Sequence, residues 1–296
     1  MGFCVIMIFE VLLAAGAEKD ETKEEDLPVL WNVKNGSIPM DGTHMSYVSF
    51  GSGKRPLVFL PGLSDGLATV RGKGFLLALP YRLFFDRFTV YMFSRKDALK
   101  RGASIRDMAE DQAAALKSLG LKKVCLAGVS QGGMIAQCLA EEHPDLVERL
   151  VIAVSSPRAD ETVRENVEKW AGLAARGRHR DLMIDTAEKS YSPALLKKYR
   201  MLYPILRLVG KPASYDRFLA NAEAVLSFDG LKDLSRIQCP TLILGGEEDR
   251  IVGPEASRLM HERIPGSRIH MYPGLGHAAY EEAPDFNKRI LDFLTE

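Results

Sequence analysis

The sequence predicts an α/β fold, with a mostly parallel sheet covered by helices on both faces and an all-helical insertion. Three observations predict it. Short apolar runs alternate with stretches of helical periodicity, the pattern of strands buried on both faces and joined by crossover helices. The alternation stops after Ser156, and from Pro157 to about Leu226 only helical patterns occur. It then resumes and continues to the C-terminus.

The elements follow in order. Phe3 to Leu13 is an apolar run interrupted by Glu10, followed by the small residues Ala15-Gly16-Ala17. It is too short for an ordinary membrane span, and no Lys or Arg precedes it as in a signal peptide. It is read as an extra N-terminal helix or the product of an upstream start codon, with a signal or anchor as the alternative. Glu18 to Asp26 reads as a solvated linker. Residues 1–34 are thus expected to form an extension to the core.

Met45 to Phe50 reads as a strand closed by Gly51-Ser52-Gly53, and Leu57 to Leu60 as a buried strand closed by Pro61-Gly62. Phe88 to Phe93 is a third. Ile105 to Leu119 is the clearest helix, with Ile105, Met108, Ala109, Gln112, Leu116 and Leu119 at helical spacing. Ser104 and Asp107 form a capping-box pattern at its start, and Gly120 stops it. Val124 to Ala127 is a strand, Gly132 to Glu142 a helix ending before His143-Pro144, and Leu150 to Val154 a strand. Gly177, Pro193, Pro204 and Gly210-Lys211-Pro212 separate the helical patterns of the insertion. Beyond it come strand Thr241–Leu244, helix Pro254–Ile264, strand Arg268–Tyr272 and a helix over Phe286–Leu294. The expected division is a core of residues 35–156 and 227–296, with a helical insertion over 157–226.

Composition narrows the function. Of 296 residues, 39 are Lys or Arg and 39 are Asp or Glu, so no overall charge excess attracts nucleic acid or anionic lipid. Cys4, Cys125, Cys138 and Cys239 form no C-x-x-C pair, and no Cys or His pair has zinc-ligand spacing. Cys125 and Cys138 read as small buried hydrophobes.

Gly128-Val129-Ser130-Gln131-Gly132 fits G-x-S-x-G. This chemistry places the serine on a tight, strained turn between strand and helix, where small flanking residues let neighbouring chain pass close. The motif alone is weak, but an apolar strand runs into it and a helix runs out. His277 lies in Gly274-Leu275-Gly276-His277 just after a strand, in a loop able to carry an imidazole. An imidazole titrates near neutrality, so it can take and return a proton. His44, His143, His179, His261 and His270 lack such a setting, and His143 reads as a helix-end residue. Asp249 follows strand Thr241–Leu244 and two glycines, with Glu247 and Glu248 as competing carboxylates.

Taken together, this serine turn, Leu60-Pro61-Gly62-Leu63, Gly245-Gly246-Glu247-Glu248-Asp249 and Gly276-His277 resemble the α/β-hydrolase superfamily over about Met45 to Leu294. The resemblance implies an eight-stranded, mostly parallel core with a helical cap after the sixth strand. It implies Ser130 as nucleophile, His277 as base and Asp249 as the acid that orients the base, in the chain order of that fold. The backbone N–H groups of Gln131 and Leu63 would form the oxyanion hole. The family usually has His-Gly where this chain has Pro61-Gly62, so that histidine's hydrogen bonds must be replaced or lost.

A serine nucleophile argues against the halide-removing and epoxide-opening members, which use Asp, and Gln131 argues against proline iminopeptidases, which carry Trp there. Hydrolysis of an ester, thioester, amide or certain carbon–carbon bonds remains, as does acyl transfer. The expected function is a serine hydrolase cleaving a small ester, thioester or related acyl compound. The alternative is a catalytically silent member binding a ligand or partner through its cap. A secreted or membrane-attached lipase rests only on the N-terminal run. The chemistry requires no metal or organic cofactor, because the acyl-enzyme forms on the protein itself. The expected partner is a small-molecule acyl substrate, without nucleic acid or stable membrane insertion, in the cytoplasm. Trp170, Tyr191, Tyr199, Tyr203, Tyr215 and Phe218 in the insertion are read first as packing its helices, and otherwise as an aromatic-lined acyl pocket. Its 13 Lys/Arg against 9 Asp/Glu read as a solvated surface rather than an anion trap.

Overall fold

The structure, a computed structural model, describes residues 31–207 and 210–296. The apolar run Phe3–Leu13, Cys4 and the charged stretch ending at Asp26 lie outside the described residues.

Eight strands form one sheet: β1 (Lys34–Met40), β2 (Thr43–Phe50), β3 (Arg55–Leu60), β4 (Phe88–Lys96), β5 (Val124–Val129), β6 (Val147–Ala153), β7 (Thr241–Gly246) and β8 (Arg268–Tyr272). Their spatial order is β1-β2-β4-β3-β5-β6-β7-β8. The β1/β2 and β2/β4 pairs are antiparallel and the rest parallel. The mostly parallel core expected from the alternation is therefore present. β1 was not anticipated. Only Ile38 of its seven residues is buried, and Pro39 lies within it, so an edge strand of this kind carries no apolar period.

The central strands explain why their sequences read as continuous apolar runs. Val58, Leu60, Leu126, Leu150, Ile152 and Ile243 point into one core, and Leu57, Phe59, Cys125, Ala127, Val151 and Leu244 into the other. Successive side chains alternate across a strand, so burial on both faces removes any polar alternation. The first core also receives α2 (Ile105–Ser118) and α3 (Gln131–Glu142), and the second receives α10 (Phe286–Thr295). A short helix, α1 (Gly74–Ala78), precedes β4. The capping box at α2 forms in both directions, with Ser104 and Asp107 exchanging side-chain-to-backbone bonds. Packing starts before residue 35, for Trp31 stacks on Phe75 at 5.1 Å between ring centroids.

Between β6 and β7 lie α4 (Glu161–Ala175), α5 (His179–Ser190), α6 (Pro193–Tyr199) and α7 (Asp216–Leu226). The segment is helical as expected, with one isolated bridge from Arg158 to Asp229 at its base. α8 (Pro254–Arg263) and α9 (Ala279–Glu282) complete the helices. No described helix is long and apolar enough to cross a membrane.

The strand order positions the site. The chain leaves β3 for β4 on one side, then crosses to β5 on the other. Such a reversal opens a crevice at the C-terminal ends of the two strands flanking it. Leu63 follows β3 and Ser130 follows β5, so the topology alone puts both at this crevice.

Candidate active site

Ser130 joins β5 to α3 with φ 54° and ψ −121°, a conformation that costs a non-glycine residue of order 1–3 kcal/mol unless its surroundings hold it. Here they do. The Ser130 N–H donates to Ala153 O at 2.9 Å, and Gly133 N–H and Ser155 Oγ both donate to Ser130 O at 2.8 Å. Val154, next to Ser155, is itself at φ 43°, unusual for a β-branched residue. Ser155 thus supports the turn from β6, a contact that nothing local to either serine signals in the sequence.

The motif glycines are required by close approach. A Cβ on Gly132 would lie 2.0 Å from Leu60 O, and one on Gly128 would lie 2.3 Å from Gly132 O. Strand β3, the turn and α3 therefore pack backbone to backbone, which brings the loop after β3 against the serine. Gly62 is near enough that a Cβ there would touch Ser130 Cβ at 3.2 Å.

Gln131 is the first residue of α3 and Leu63 the first of a 3-10 turn over Leu63–Gly66. An N–H at such a position has no partner within its own helix, and the positive end of the α3 dipole adds to its pull on an anion. The Gln131 side chain is buried and turned away from this role. Its Oε1 accepts from Arg95 Nη2 at 2.8 Å and its Nε2 donates to Asn221 O, on α7, at 3.1 Å.

Asp249 and His277 are brought together. His277 Nδ1 lies 2.8 Å from Asp249 Oδ2. An ionised carboxylate only accepts, so Nδ1 donates in this bond, which in an uncharged ring leaves Nε2 as the acceptor. The other carboxylate oxygen takes the N–H groups of Ile251 at 2.8 Å and Val252 at 3.0 Å. Burial acts to raise the Asp249 carboxyl, but the imidazole and these donors outweigh it and hold the group below its ordinary value. Asn166 on α4 pins the same loop by donating to Arg250 O and Ile251 O. The competing acids are placed otherwise: Glu247 pairs with Arg258 and Glu248 is exposed.

Ser130, His277 and Leu63 all line one cavity of about 240 Å³ between the core and the insertion. Trp170, Tyr191, Tyr199, Tyr203 and Phe218 form much of its wall, whereas Tyr215 does not reach it. The packing reading of these aromatics was thus too narrow, since Trp170, Tyr191 and Phe218 are buried and face the cavity as well. Tyr280, which carried no sequence signal, joins them. The other predicted features sit apart. Cys125 and Cys138 are buried free thiols, pushed by burial up to about 11 and about 12, and His143 at the end of α3 meets Glu110 at 2.7 Å. Among the described residues, no group of three His, Cys, Asp or Glu side chains is placed to share a metal ion.

Comparison with known proteins adds four findings. A family model described as alpha/beta hydrolase fold matches residues 55–284. The chain is 28% identical over 283 residues to the serine hydrolase BPHL of Homo sapiens, covering 89% of this chain and 87% of that protein. It is 29% identical over 285 residues to a 2-hydroxy-6-oxononadienedioate/2-hydroxy-6-oxononatrienedioate hydrolase of Pseudomonas putida, covering 88% and 94%. Among solved structures, the enol-lactonase from Burkholderia xenovorans LB400 aligns with a TM-score of 0.76 over 88% of this chain and all of that one. At 21% identity that match speaks to the fold alone.

Proposed function

The chain belongs to the α/β-hydrolase family and is a hydrolase, and from that premise we propose that it cleaves a small ester, thioester or related acyl compound through an acyl-enzyme on Ser130. The observation that carries the proposal is the 2.8 Å bond from His277 to buried Asp249, with His277 and Ser130 on one cavity.

In this reading Ser130 Oγ attacks the acyl carbonyl carbon while its proton passes to Nε2 of His277. The carbonyl oxygen becomes an oxyanion met by the N–H groups of Leu63 and Gln131. When the tetrahedral intermediate collapses, the bond to the leaving group breaks and the leaving group takes the proton from His277. Water then gives a proton to His277 and its oxygen to the acyl carbon, and collapse returns the proton to Ser130 as the acid departs. Asp249 holds the imidazole in the required tautomer and stabilises the imidazolium formed at each step. Residues 157–226 act as a cap that shapes the acyl pocket over a core of residues 35–156 and 227–296. The relatives' names include a serine hydrolase and a dioate hydrolase, so membership leaves the acyl group open.

Asp249→Asn tests the assignment of roles. An asparagine presents N–H or C=O to Nδ1 and destroys the fixed tautomer. Turnover of a p-nitrophenyl ester should fall on the order of 10³-fold or more, while Glu247→Gln and Glu248→Gln stay near wild type. Loss of activity in either glutamate variant with Asp249→Asn unaffected would move the orienting role to that glutamate.

A further inference from the structure

Resting on the serine-hydrolase reading, we infer that the acyl group this site accepts is an uncharged hydrocarbon chain longer than acetyl, without a terminal carboxylate or ammonium. The cavity wall carries the argument. Among its described lining residues there is no Asp, Glu, Lys or Arg. Its polar members are few, and the two hydroxyls of Thr186 and Ser190 on the insertion are already engaged. Thr186 Oγ1 donates to Leu182 O at 2.9 Å and Ser190 Oγ to Thr186 O at 2.7 Å, so both hydroxyls bond back into α5.

The aromatic residues deepen the point. Trp170 Nε1 donates to Asp185 Oδ2, Tyr191 Oη to Glu281 Oε2 and Tyr203 Oη to Glu188 Oε1, each at 2.8 Å. None of those three carboxylates lines the cavity. Each ring therefore turns its polar atom onto an acid outside the wall and leaves its hydrocarbon face for the ligand. Asp185 and Glu188 are held in turn by Lys169, Lys189 and Arg200, so these cations are committed behind the wall as well. A carboxylate or ammonium at the far end of an acyl chain would lose its water and find no counter-charge, and burying an unpaired charge is strongly unfavourable. Acetyl would leave most of the space unfilled, for the cavity is about 240 Å³ against the roughly 10–15 Å³ that one water needs.

Tyr199 and Tyr280 add two more uncharged rings to the wall, and the other polar members lie at the reacting end. Ser130, His277 and Ser64 are there, next to the Leu63 N–H. The cavity thus offers catalytic polar groups where a carbonyl would react and an uncharged, largely apolar and aromatic wall beyond it, the division expected of a site that fixes one functional group and selects the chain by burial.

The test compares kcat/KM of the wild-type protein for p-nitrophenyl acetate, p-nitrophenyl hexanoate, the mono-p-nitrophenyl ester of adipic acid and the p-nitrophenyl ester of 6-aminohexanoic acid. Fluorophosphonate labelling of Ser130 is followed in parallel. The expected result is that hexanoate exceeds acetate and exceeds both charged six-carbon esters by about 100-fold. A charged ester turned over within about tenfold of hexanoate, or acetate as the best substrate, with Ser130 labelled, would overturn this inference and leave the hydrolase reading standing. No turnover of any ester and no label on Ser130 would overturn both.

Discussion

Ser130→Ala is expected to abolish ester turnover, with kcat falling by roughly 10⁴- to 10⁶-fold, while the fold and its stability stay as they are. The two halves of this expectation have separate physical grounds. Removing Oγ removes the only atom at the turn that can form the acyl-enzyme, and no imidazole or oxyanion donor replaces it. The contacts that hold the strained turn are made by the backbone of residue 130, through Ala153 O, Gly133 N and Ser155 Oγ. Alanine keeps all of them, and the positive φ carries the same strain with or without the hydroxyl. The unfolding midpoint should therefore match wild type to within the effect of about 0.5 kcal/mol. Thermal unfolding followed by circular dichroism and turnover of p-nitrophenyl hexanoate check the two halves on one sample. Turnover that persists would place the nucleophile elsewhere.

The second large effect is on stability. Asp65→Asn should lower the free energy of unfolding by about 3–5 kcal/mol, because it removes the anion from a buried cluster of three charges. Asp65 and Arg95 are each 2% exposed. Asp65 Oδ2 accepts the Arg95 N–H at 3.0 Å and Arg217 Nη2 at 2.5 Å, with Arg95 Nη1 at 3.6 Å. Arg217, from α7, also donates to the carbonyls of Asp65, Arg95 and Lys96. With the carboxylate gone, two guanidinium groups face each other without compensation. Burial alone would raise the Asp65 carboxyl, but Arg217 and Arg95 outweigh it, and the group is held below its ordinary value. A depressed carboxyl stabilises the fold fully above its unfolded-state value and loses that contribution as the pH falls through the folded-state value. The stability gap between wild type and Asp65→Asn should thus be widest near neutrality and narrow in acid. Denaturant unfolding at several pH values reads this directly, and a gap that does not change with pH would mean the cluster is held by packing rather than charge.

This cluster also bears on the departure at Pro61-Gly62. The loop carrying Leu63 is fixed through Asp65 to β4 and α7, and Arg95 passes on to Gln131, so both proposed oxyanion donors belong to one buried network. None of this was legible in the sequence. Asp65, Arg95 and Arg217 are separated by 30 and 122 residues, and no local pattern links one to another. The same holds for Ser155, whose contact with Ser130 is made across two strands.

What was legible has an equally physical cause. Strands buried on both faces write continuous apolar runs, so β3, β5, β6 and β7 stood out, and capping chemistry marked α2 to within a residue. β1 stayed hidden because an exposed edge strand needs no such run. The serine turn was visible because close backbone contact admits only glycine at Gly128 and Gly132. The aromatics of the insertion were seen, but composition does not say whether a ring packs against a helix or faces a cavity. That depends on where its polar atom finds a partner, and Asp185, Glu188 and Glu281 supply those partners from positions with no distinguishing pattern.

The most direct test of the central claim, that His277 activates Ser130, is labelling by a fluorophosphonate, followed by intact mass on the wild type, Ser130→Ala and His277→Ala. A single adduct is expected on the wild type, none on Ser130→Ala and a strongly slowed one on His277→Ala. An adduct that forms on Ser130→Ala, or one that forms on His277→Ala as fast as on the wild type, would contradict it.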